Sequence, residues 1–282
     1  MNSNNKKQQK LFESWRRYLK EEEVPQQAAQ PTGSWPSSPP KKVEIKKGSS
    51  FTPQQIQQLW NKMASLNPPK NPDEVLASIG GIQTLTKNIN GVASHFANSD
   101  NNPNRSAMPV VEPDGGDFED LKARLPAGKL DFKEPFSPDE EKFPTGLDTQ
   151  SPEVQQKFLT KGDRDGESDD DKSVSLSKAP ISVGSSYPTQ KQVYLDKCIW
   201  NILNFGPTPV GGTAHGKPNL IAIQAGEKVN YILDGHHRWS SAWISGGKEA
   251  SINVQILKGL DIATGIAALR SYGNARGNKQ KT

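Results

Sequence analysis

The sequence predicts an α+β protein in which a folded C-terminal domain follows a long N-terminal region that is mostly disordered and partly helical. The first observation is that short apolar runs alternate with amphipathic stretches from residue 178 onward. The second is a hydrophobic content of only 32%, with 24 Gly and 22 Pro among 282 residues, which is low for a chain that folds throughout. The third is uneven charge, because residues 111–172 hold eighteen Asp and Glu against nine Lys and Arg.

Residues 1–50 are predicted to form an amphipathic helix followed by a linker rich in Pro, Gln, Ser and Lys. Leu11, Trp15 and Leu19 recur at helical spacing within residues 6–23, with Lys and Arg on the other face. Two interpretations fit this helix: it docks on a protein partner or an anionic surface, or it is marginal and packs only locally. The basic charge of this region also suits nucleic acid, although a solvated arm is the better interpretation.

Residues 51–98 predict a small helical segment, which we expect to form a satellite domain. Thr52 suits the N-cap of its first helix, Pro53 suits the first helical position, and a Pro-Pro pair ends the helix. A second helical stretch follows Asp73, and a third covers residues 81–98. The Met and Trp side chains of this segment are expected in its core.

Residues 99–177 predict an acidic, mostly disordered linker that is rich in Asn, Pro, Asp, Gly and Ser. Within it, the stretch DRDGESDDDK (163–172) invites comparison with a calcium-binding loop. An EF-hand loop needs Gly at its sixth position, whereas Gly166 is fourth from Asp163. A solvated acidic loop is therefore the better interpretation.

The C-terminal domain, residues 178–282, is predicted to mix strands and helices. Cys198 falls on the apolar face of a helix that Gly206 ends, and we expect it to be a small core residue rather than a nucleophile. The other predicted elements are a strand at 179–185, two strands at 219–224 and 229–233 that form a hairpin, a helix from 236 to the Gly246-Gly247 pair, a strand at 251–258 and a helix at 261–272.

The composition excludes several classes of protein. A single cysteine excludes a disulfide framework and a multi-cysteine metal site, and it is typical of a reducing compartment. The chain has no run of about 18 apolar residues, and its first residues lack the apolar stretch of a secretory leader. We therefore expect a cytoplasmic protein with no membrane span. The lone His95 is expected to be structural or merely exposed.

The stretch ILDGHHRWSSAW (232–243) predicts a strand, a sharp turn and a helix. Gly235 permits a backbone angle at the turn that other residues resist. The amides of His236, His237 and Arg238 are then expected to begin the helix without intrahelical acceptors, at the positive end of its dipole. Together with the Arg238 guanidinium, these amides form a predicted phosphate site.

Three titratable residues of this turn are candidates for chemistry. His236 and His237 are suited to donate hydrogen bonds or to shuttle a proton near neutral pH, and Asp234 to cap the helix, to orient a histidine or to bind a metal ion. The simpler alternative is that Asp234 is only a cap and that both histidines lie on the surface. Adjacent helical residues point about 100° apart, so the two histidines are not expected to share one metal ion. A zinc site that adds His215 is the weaker interpretation.

The turn resembles the signature of the ParB N-terminal/sulfiredoxin-like superfamily. ParB-type proteins carry Gly-Glu-Arg-Arg-Trp/Tyr-Arg-Ala after a strand, and here the two histidines replace the Glu and the first Arg. Residues 187–190 (YPTQ) resemble the Pro-x-Gln segment that follows the first strand of these domains, which brings Gln190 into the expected site. The residues that match the ParB-type turn are Gly235, Arg238, Trp239 and Ala242.

Sulfiredoxins carry Gly-Cys-His-Arg at this turn, and here His236 stands at the position of the catalytic Cys. Because Cys198 lies on a different helix, the resemblance does not imply sulfiredoxin activity. The DGHHRW form looks like uncharacterised ParB-like proteins of bacteria and tailed bacteriophages, which implies a bacterial or phage-infected host cell. No helix-turn-helix follows residues 178–282, which the resemblance covers, so we do not expect centromere-type DNA recognition.

The resemblance implies a bound nucleotide, ATP or CTP with Mg²⁺, and three functions fit it. One is an NTPase or phosphotransferase in which Asp234 or a histidine acts as the base or metal partner. Another is a nuclease or DNA-associated protein that uses a histidine or a metal-bound water at the same turn. The third is a non-catalytic interaction or structural protein. The residues expected to bind the nucleotide are Gly235, His236, His237, Arg238 and Gln190.

Overall fold

The structure, a computed structural model, describes residues 42–96, 108–111, 116–124, 174–208, 220–225, 229–276 and 278. All of these residues belong to one unit, which spans Gly33–Thr282. The predicted helix at 6–23, the acidic stretch at 163–172, most of the Gly-rich loop before β-strand 221–225, and His215 lie outside the described residues.

In the C-terminal half of the described chain, groups of one to three strands are each followed by a helix, whereas three helices follow the first strand. The strands are β1 (Glu44–Lys46), β2 (Ser175–Ser182), β3 (Ser186–Pro188), β4 (Gln192–Tyr194), β5 (Ile221–Ala225), β6 (Val229–Asp234) and β7 (Ser251–Lys258). The helices are α1 (Pro53–Ala64), α2 (Pro72–Ile79), α3 (Gly81–Phe96), α4 (Asp117–Arg124), α5 (Leu195–Phe205), α6 (His236–Gly246) and α7 (Ile262–Ala275).

The larger sheet is mixed, with its five strands in the order β2-β7-β5-β6-β3. β2 pairs antiparallel with β7 along its whole length, and β5 pairs antiparallel with β6. The β5–β7 and β3–β6 pairs are parallel. This combination of helices with a mixed sheet confirms the predicted α+β class.

Both faces of this sheet are buried, because successive residues of a strand point to opposite faces. Ala222 and Ile232 belong to the core that α1, α2, α3, α5 and α6 cover. Ile223 and Leu233 belong to a second core, which α4 and α7 cover. The central strands β5 and β6 therefore need consecutive apolar residues, and this is the pattern from which they were predicted.

The helical segment predicted at 51–98 packs into the first core together with the C-terminal domain. The predicted cap of α1 is confirmed, since Thr52 accepts a hydrogen bond from the Gln55 amide and Pro53 lies in the first turn. α3 packs against α6, where a Cβ on Gly91 would lie 3.1 Å from the indole nitrogen of Trp243. We expected a satellite domain here, but the apolar faces of these helices cover the sheet instead.

Two elements lie in segments that were predicted to be linkers. β1 pairs antiparallel with β4, and its central residue Ile45 is fully buried. α4 lies inside the predicted acidic linker, and its Leu121 packs in the second core. Both elements are held by contacts with residues far along the chain, which local sequence patterns do not reveal.

A polar network joins α4 to α7. The buried carboxylate of Asp117 accepts hydrogen bonds from Arg276 Nε at 3.0 Å and from Asn278 Nδ2 at 2.6 Å. The Tyr272 hydroxyl lies 3.1 Å from the Asp117 carbonyl oxygen and 2.9 Å from Asp120 Oδ2. Burial and these acidic partners raise the pKa of Tyr272, so its hydroxyl stays protonated and acts as a donor.

Removing the Tyr272 hydroxyl tests this network. We expect Tyr272→Phe to lower the free energy of unfolding by about 1–2 kcal/mol, because it removes the hydrogen bonds of a buried hydroxyl to Asp117 and Asp120. Tyr231→Phe is the matched control, since no hydrogen bond joins the Tyr231 hydroxyl to another described residue, and we expect it to cost less than about 0.5 kcal/mol. Urea denaturation measures both, and equal losses would contradict this account of α4.

Candidate functional site

The turn between β6 and α6 (residues 234–238, the 234–238 turn) depends on a glycine. Gly235 is the N-cap of α6 and has φ 89° and ψ 23°, in the left-handed region. A Cβ at this position would lie 2.7 Å from Cδ2 of Leu220 and 3.1 Å from Nη2 of Arg238. Both the backbone angle and the close packing therefore require Gly, as the sequence predicted.

Asp234 ends β6 and contacts Arg238 across the turn. Its Oδ2 atom lies 3.8 Å from Nη2 of Arg238, and the two side chains are 20% and 18% exposed. The N-cap of α6 is Gly235, and Asp234 is the residue before it. Across the left-handed turn at Gly235, the Asp234 carboxylate faces the guanidinium of Arg238.

The first amides of α6 are only partly as predicted. The Arg238 amide donates to the Gly235 carbonyl oxygen at 2.9 Å, and the Trp239 amide donates to the same oxygen at 3.0 Å. The expectation that the Arg238 amide lacks an acceptor is therefore wrong. A tightened first turn, in which one carbonyl accepts from the residues three and four positions later, is common at helix ends.

His236 is buried and accepts a hydrogen bond. Its Nε2 atom accepts from the Thr189 amide at 3.1 Å, and Thr189 Oγ1 donates to the Ile232 carbonyl oxygen at 2.6 Å. An amide can only donate, so Nε2 carries a lone pair and the proton of the neutral ring is on Nδ1. Burial lowers the pKa of His236 to about 3, although a backbone hydrogen bond with Ile232 acts in the other direction. A ring that stays neutral in this way is not suited to shuttle a proton near neutral pH.

His237 makes a similar bond to a different residue. Its Nε2 atom accepts from the Tyr194 amide at 3.1 Å, and the two rings lie 5.9 Å apart. The His237 carbonyl oxygen accepts from the Ser241 hydroxyl at 2.6 Å and from the Cys198 thiol at 3.7 Å. The simpler expectation that both histidines are only surface residues is wrong, because each ring accepts a hydrogen bond from the backbone of another segment.

The two histidines therefore attach residues 189–194 (the 189–194 segment) to the start of α6. Gln190, a predicted nucleotide-binding residue, lies in this segment, where it is buried and its Nε2 atom donates to the Gln192 carbonyl oxygen. The structure thus brings the Pro-Thr-Gln stretch to the 234–238 turn. Sequence reasoning missed Thr189 and Tyr194, because they take part through their amides, which every residue other than proline carries.

The remaining cysteine and histidine within the described residues are structural. Cys198 is fully buried, and burial raises the pKa of its thiol to about 12, which confirms a core residue rather than a nucleophile. His95 contacts the Gly184 carbonyl oxygen through Nε2 at 3.1 Å. Its ring is stacked on Tyr187 and meets Trp243 edge to face. These contacts show that His95 is structural, one of the two alternatives predicted for it.

Across the described ranges, no three His, Cys, Asp or Glu side chains are grouped so that they could hold a metal ion. Metal binding by Asp234, together with phosphate oxygens, stays a prediction. None of the described helices has the length and the apolar character needed to cross a membrane. No family model, curated protein or solved structure matches this chain.

The strain that Gly235 avoids is measurable. We expect Gly235→Ala to lower the free energy of unfolding by about 2–4 kcal/mol, because the new Cβ adds a clash to an unfavourable backbone angle. Gly259→Ala is the matched control, since Gly259 also has a positive φ but has no atom near its Cβ position, and we expect about 1 kcal/mol. The interpretation of the turn fails if chemical denaturation gives the two variants the same loss.

Burial of a neutral His236 predicts a specific dependence of stability on pH. The folded-state pKa of about 3 lies below the unfolded value of 6.5, so the unfolded chain binds the proton more readily at acidic pH. Stability conferred by the neutral ring is complete above pH 6.5 and falls as pH drops toward 3, by at most about 1.4 kcal/mol per pH unit. Between pH 7 and 4, we expect the free energy of unfolding of His236→Gln to fall less steeply with decreasing pH than that of the wild type. Equal pH dependence in the two proteins would show that His236 is not buried and neutral.

Proposed function

We propose that this protein binds a nucleoside triphosphate, ATP or CTP with Mg²⁺, through the 234–238 turn, as a ParB/sulfiredoxin-like domain protein. The order of elements supports the proposal, since β3 with its Pro-Thr-Gln stretch, α5, β5, β6, the glycine turn and α6 follow as the resemblance implies. The observation that carries it is the start of α6, where Gly235 supplies a left-handed N-cap beside the Arg238 guanidinium.

The electrostatics of this helix start suit an anion. α6 has no acidic residue in its first turn and a glycine at its N-cap, so no residue of the helix itself neutralises its positive pole. The 3.8 Å contact between Arg238 and Asp234 is longer than the about 2.8 Å of a charge-assisted hydrogen bond. A phosphate group can therefore form a closer, bidentate pair with Arg238 than Asp234 does.

Any turnover of the nucleotide would depend on Asp234 more than on the histidines. The Nε2 atoms of His236 and His237 already accept hydrogen bonds from backbone amides. One carboxylate together with phosphate oxygens is a usual environment for Mg²⁺, which would neutralise charge on the phosphates. Asp234 is thus the predicted residue that would hold this ion or accept a proton from the attacking nucleophile.

Titration of the full chain with labelled ATP, CTP and GTP in the presence of Mg²⁺ tests the proposal. We expect saturable binding of ATP or CTP, and binding at least about tenfold weaker in Arg238→Ala, because a charge-assisted pair is worth about 1.5–3 kcal/mol. Lys248→Ala, which removes an exposed cation whose amine lies 3.7 Å from Glu249, is the matched control and should bind as the wild type does. Melting curves verify that both variants fold.

Other outcomes would favour the alternative functions. The absence of binding by all three nucleotides would refute the proposal. Plasmid nicking that requires a divalent ion and is lost in His237→Ala would favour the nuclease. Neither nucleotide binding nor cleavage would favour a structural or interaction protein. Where a nucleotide does bind, release of inorganic phosphate separates an NTPase from a non-catalytic nucleotide-binding module.

A further inference from the structure

We propose that His236 and His237 are positioning residues whose Nε2 atoms fix the 189–194 segment against the start of α6, so that Gln190 joins the nucleotide site. The inference rests on the proposed function for its effect on nucleotide binding, although the hydrogen bonds themselves do not depend on it. It gives the histidine pair a role in place of the acid–base chemistry that their position in the turn first suggests.

The geometry of the pair suits two anchoring points. Side chains of adjacent helical residues diverge by about 100°, so one helix turn can reach two separate places on a neighbouring segment. His236 reaches the amide of Thr189 at 3.1 Å and His237 reaches the amide of Tyr194 at 3.1 Å. These amides stand at the two ends of the 189–194 segment, and Gln190 lies between them.

The direction of both bonds limits what the rings can do. A backbone amide has a proton to give and no lone pair, so each ring contributes the lone pair of Nε2. A histidine that acts as a base needs such a lone pair directed at the substrate. In this fold both Nε2 lone pairs are directed at the protein backbone, which is the arrangement of a positioning group.

Other contacts hold the segment in addition to the histidines. The Thr189 amide also lies 3.4 Å from the Ile232 carbonyl oxygen, to which the Thr189 hydroxyl donates at 2.6 Å. Residues 189–191 lie between the short strands β3 and β4 and form no regular secondary structure. At the far end, β4 pairs with β1, and the Leu195 amide donates to the Val43 carbonyl oxygen at 2.7 Å. β1 therefore pairs with the C-terminal end of the segment, and the Tyr194 amide in that end donates a hydrogen bond to His237 of α6.

Paired substitutions distinguish the role of each histidine as a hydrogen-bond acceptor from the role of its side-chain volume. His236→Gln and His237→Gln keep an oxygen acceptor near the position of Nε2, whereas His236→Leu and His237→Leu keep bulk and lose the acceptor. With the full chain and either Mg-ATP or Mg-CTP, we expect each Leu variant to bind about tenfold more weakly than wild type and each Gln variant to bind within about twofold. Gln190→Leu should weaken binding as the Leu variants of the histidines do.

Two measurements report on the bonds without nucleotide. Nitrogen-15 NMR of the wild-type rings should show the proton on Nδ1 in both histidines. Hydrogen exchange at the Tyr194 amide should be slow in the wild type and in His237→Gln, and faster in His237→Leu. The Thr189 amide should show a smaller increase in His236→Leu, because it also lies 3.4 Å from the Ile232 carbonyl oxygen. If a Leu variant does not fold, the wild-type tautomers and the behaviour of the Gln variants still decide the matter.

Several results would overturn the inference. A proton on Nε2 of either ring would do so, as would Leu and Gln variants with equal affinities. If the protein turns nucleotide over, Gln variants that bind normally but lose turnover would show that the histidines are catalytic. A wild type that binds neither nucleotide overturns the proposed function alone, and the tautomers and the amide exchange then still test the anchoring of the segment.

Discussion

Gly235 takes the chain from the end of β6 into α6 with a positive φ and with no room for a side chain, because Leu220 and Arg238 lie close to the position that a Cβ would take. This backbone conformation sets the direction in which α6 leaves β6. Arg238 folds back to Asp234, and the two histidines turn toward the 189–194 segment. With a residue that preferred a negative φ at this position, the helix would leave the strand in another direction and these contacts would be lost.

The same turn connects strand β6 of the larger sheet to helix α6 of the first core. α6 continues into the first core, where Trp239 and Trp243 pack against the aromatic side chains of α3, and the Trp239 indole donates to the Ser186 hydroxyl at 2.8 Å. α1, α2 and α3 share this core with α6 and with the sheet residues Ala222 and Ile232. A packed helix of this kind suits a ligand site, because little of the protein then has to become ordered when the ligand binds.

Elements with a local periodic signal were predictable from sequence, and elements held by distant contacts were not. The apolar runs predict β5 and β6, and the Thr52-Pro53 pair predicts the start of α1. The apolar face that includes Cys198 predicts the burial of this residue. β1 is only three residues long and lies among lysines, and it pairs with β4 while its Ile45 packs in the first core. At the site, Gly235 was predicted from its turn, whereas the acceptor role of the histidines depends on amides more than 40 positions away.

Binding of nucleotide phosphates by the start of α6 is the central proposal, and NMR on the nitrogen-15-labelled full chain tests it most directly. Titration with Mg-ATP or Mg-CTP is predicted to shift the backbone amide of His236, the guanidinium of Arg238 and the side-chain amide of Gln190 together, with one common affinity. Saturable shifts confined to residues remote from the 234–238 turn, or no shifts at millimolar nucleotide, would contradict the account.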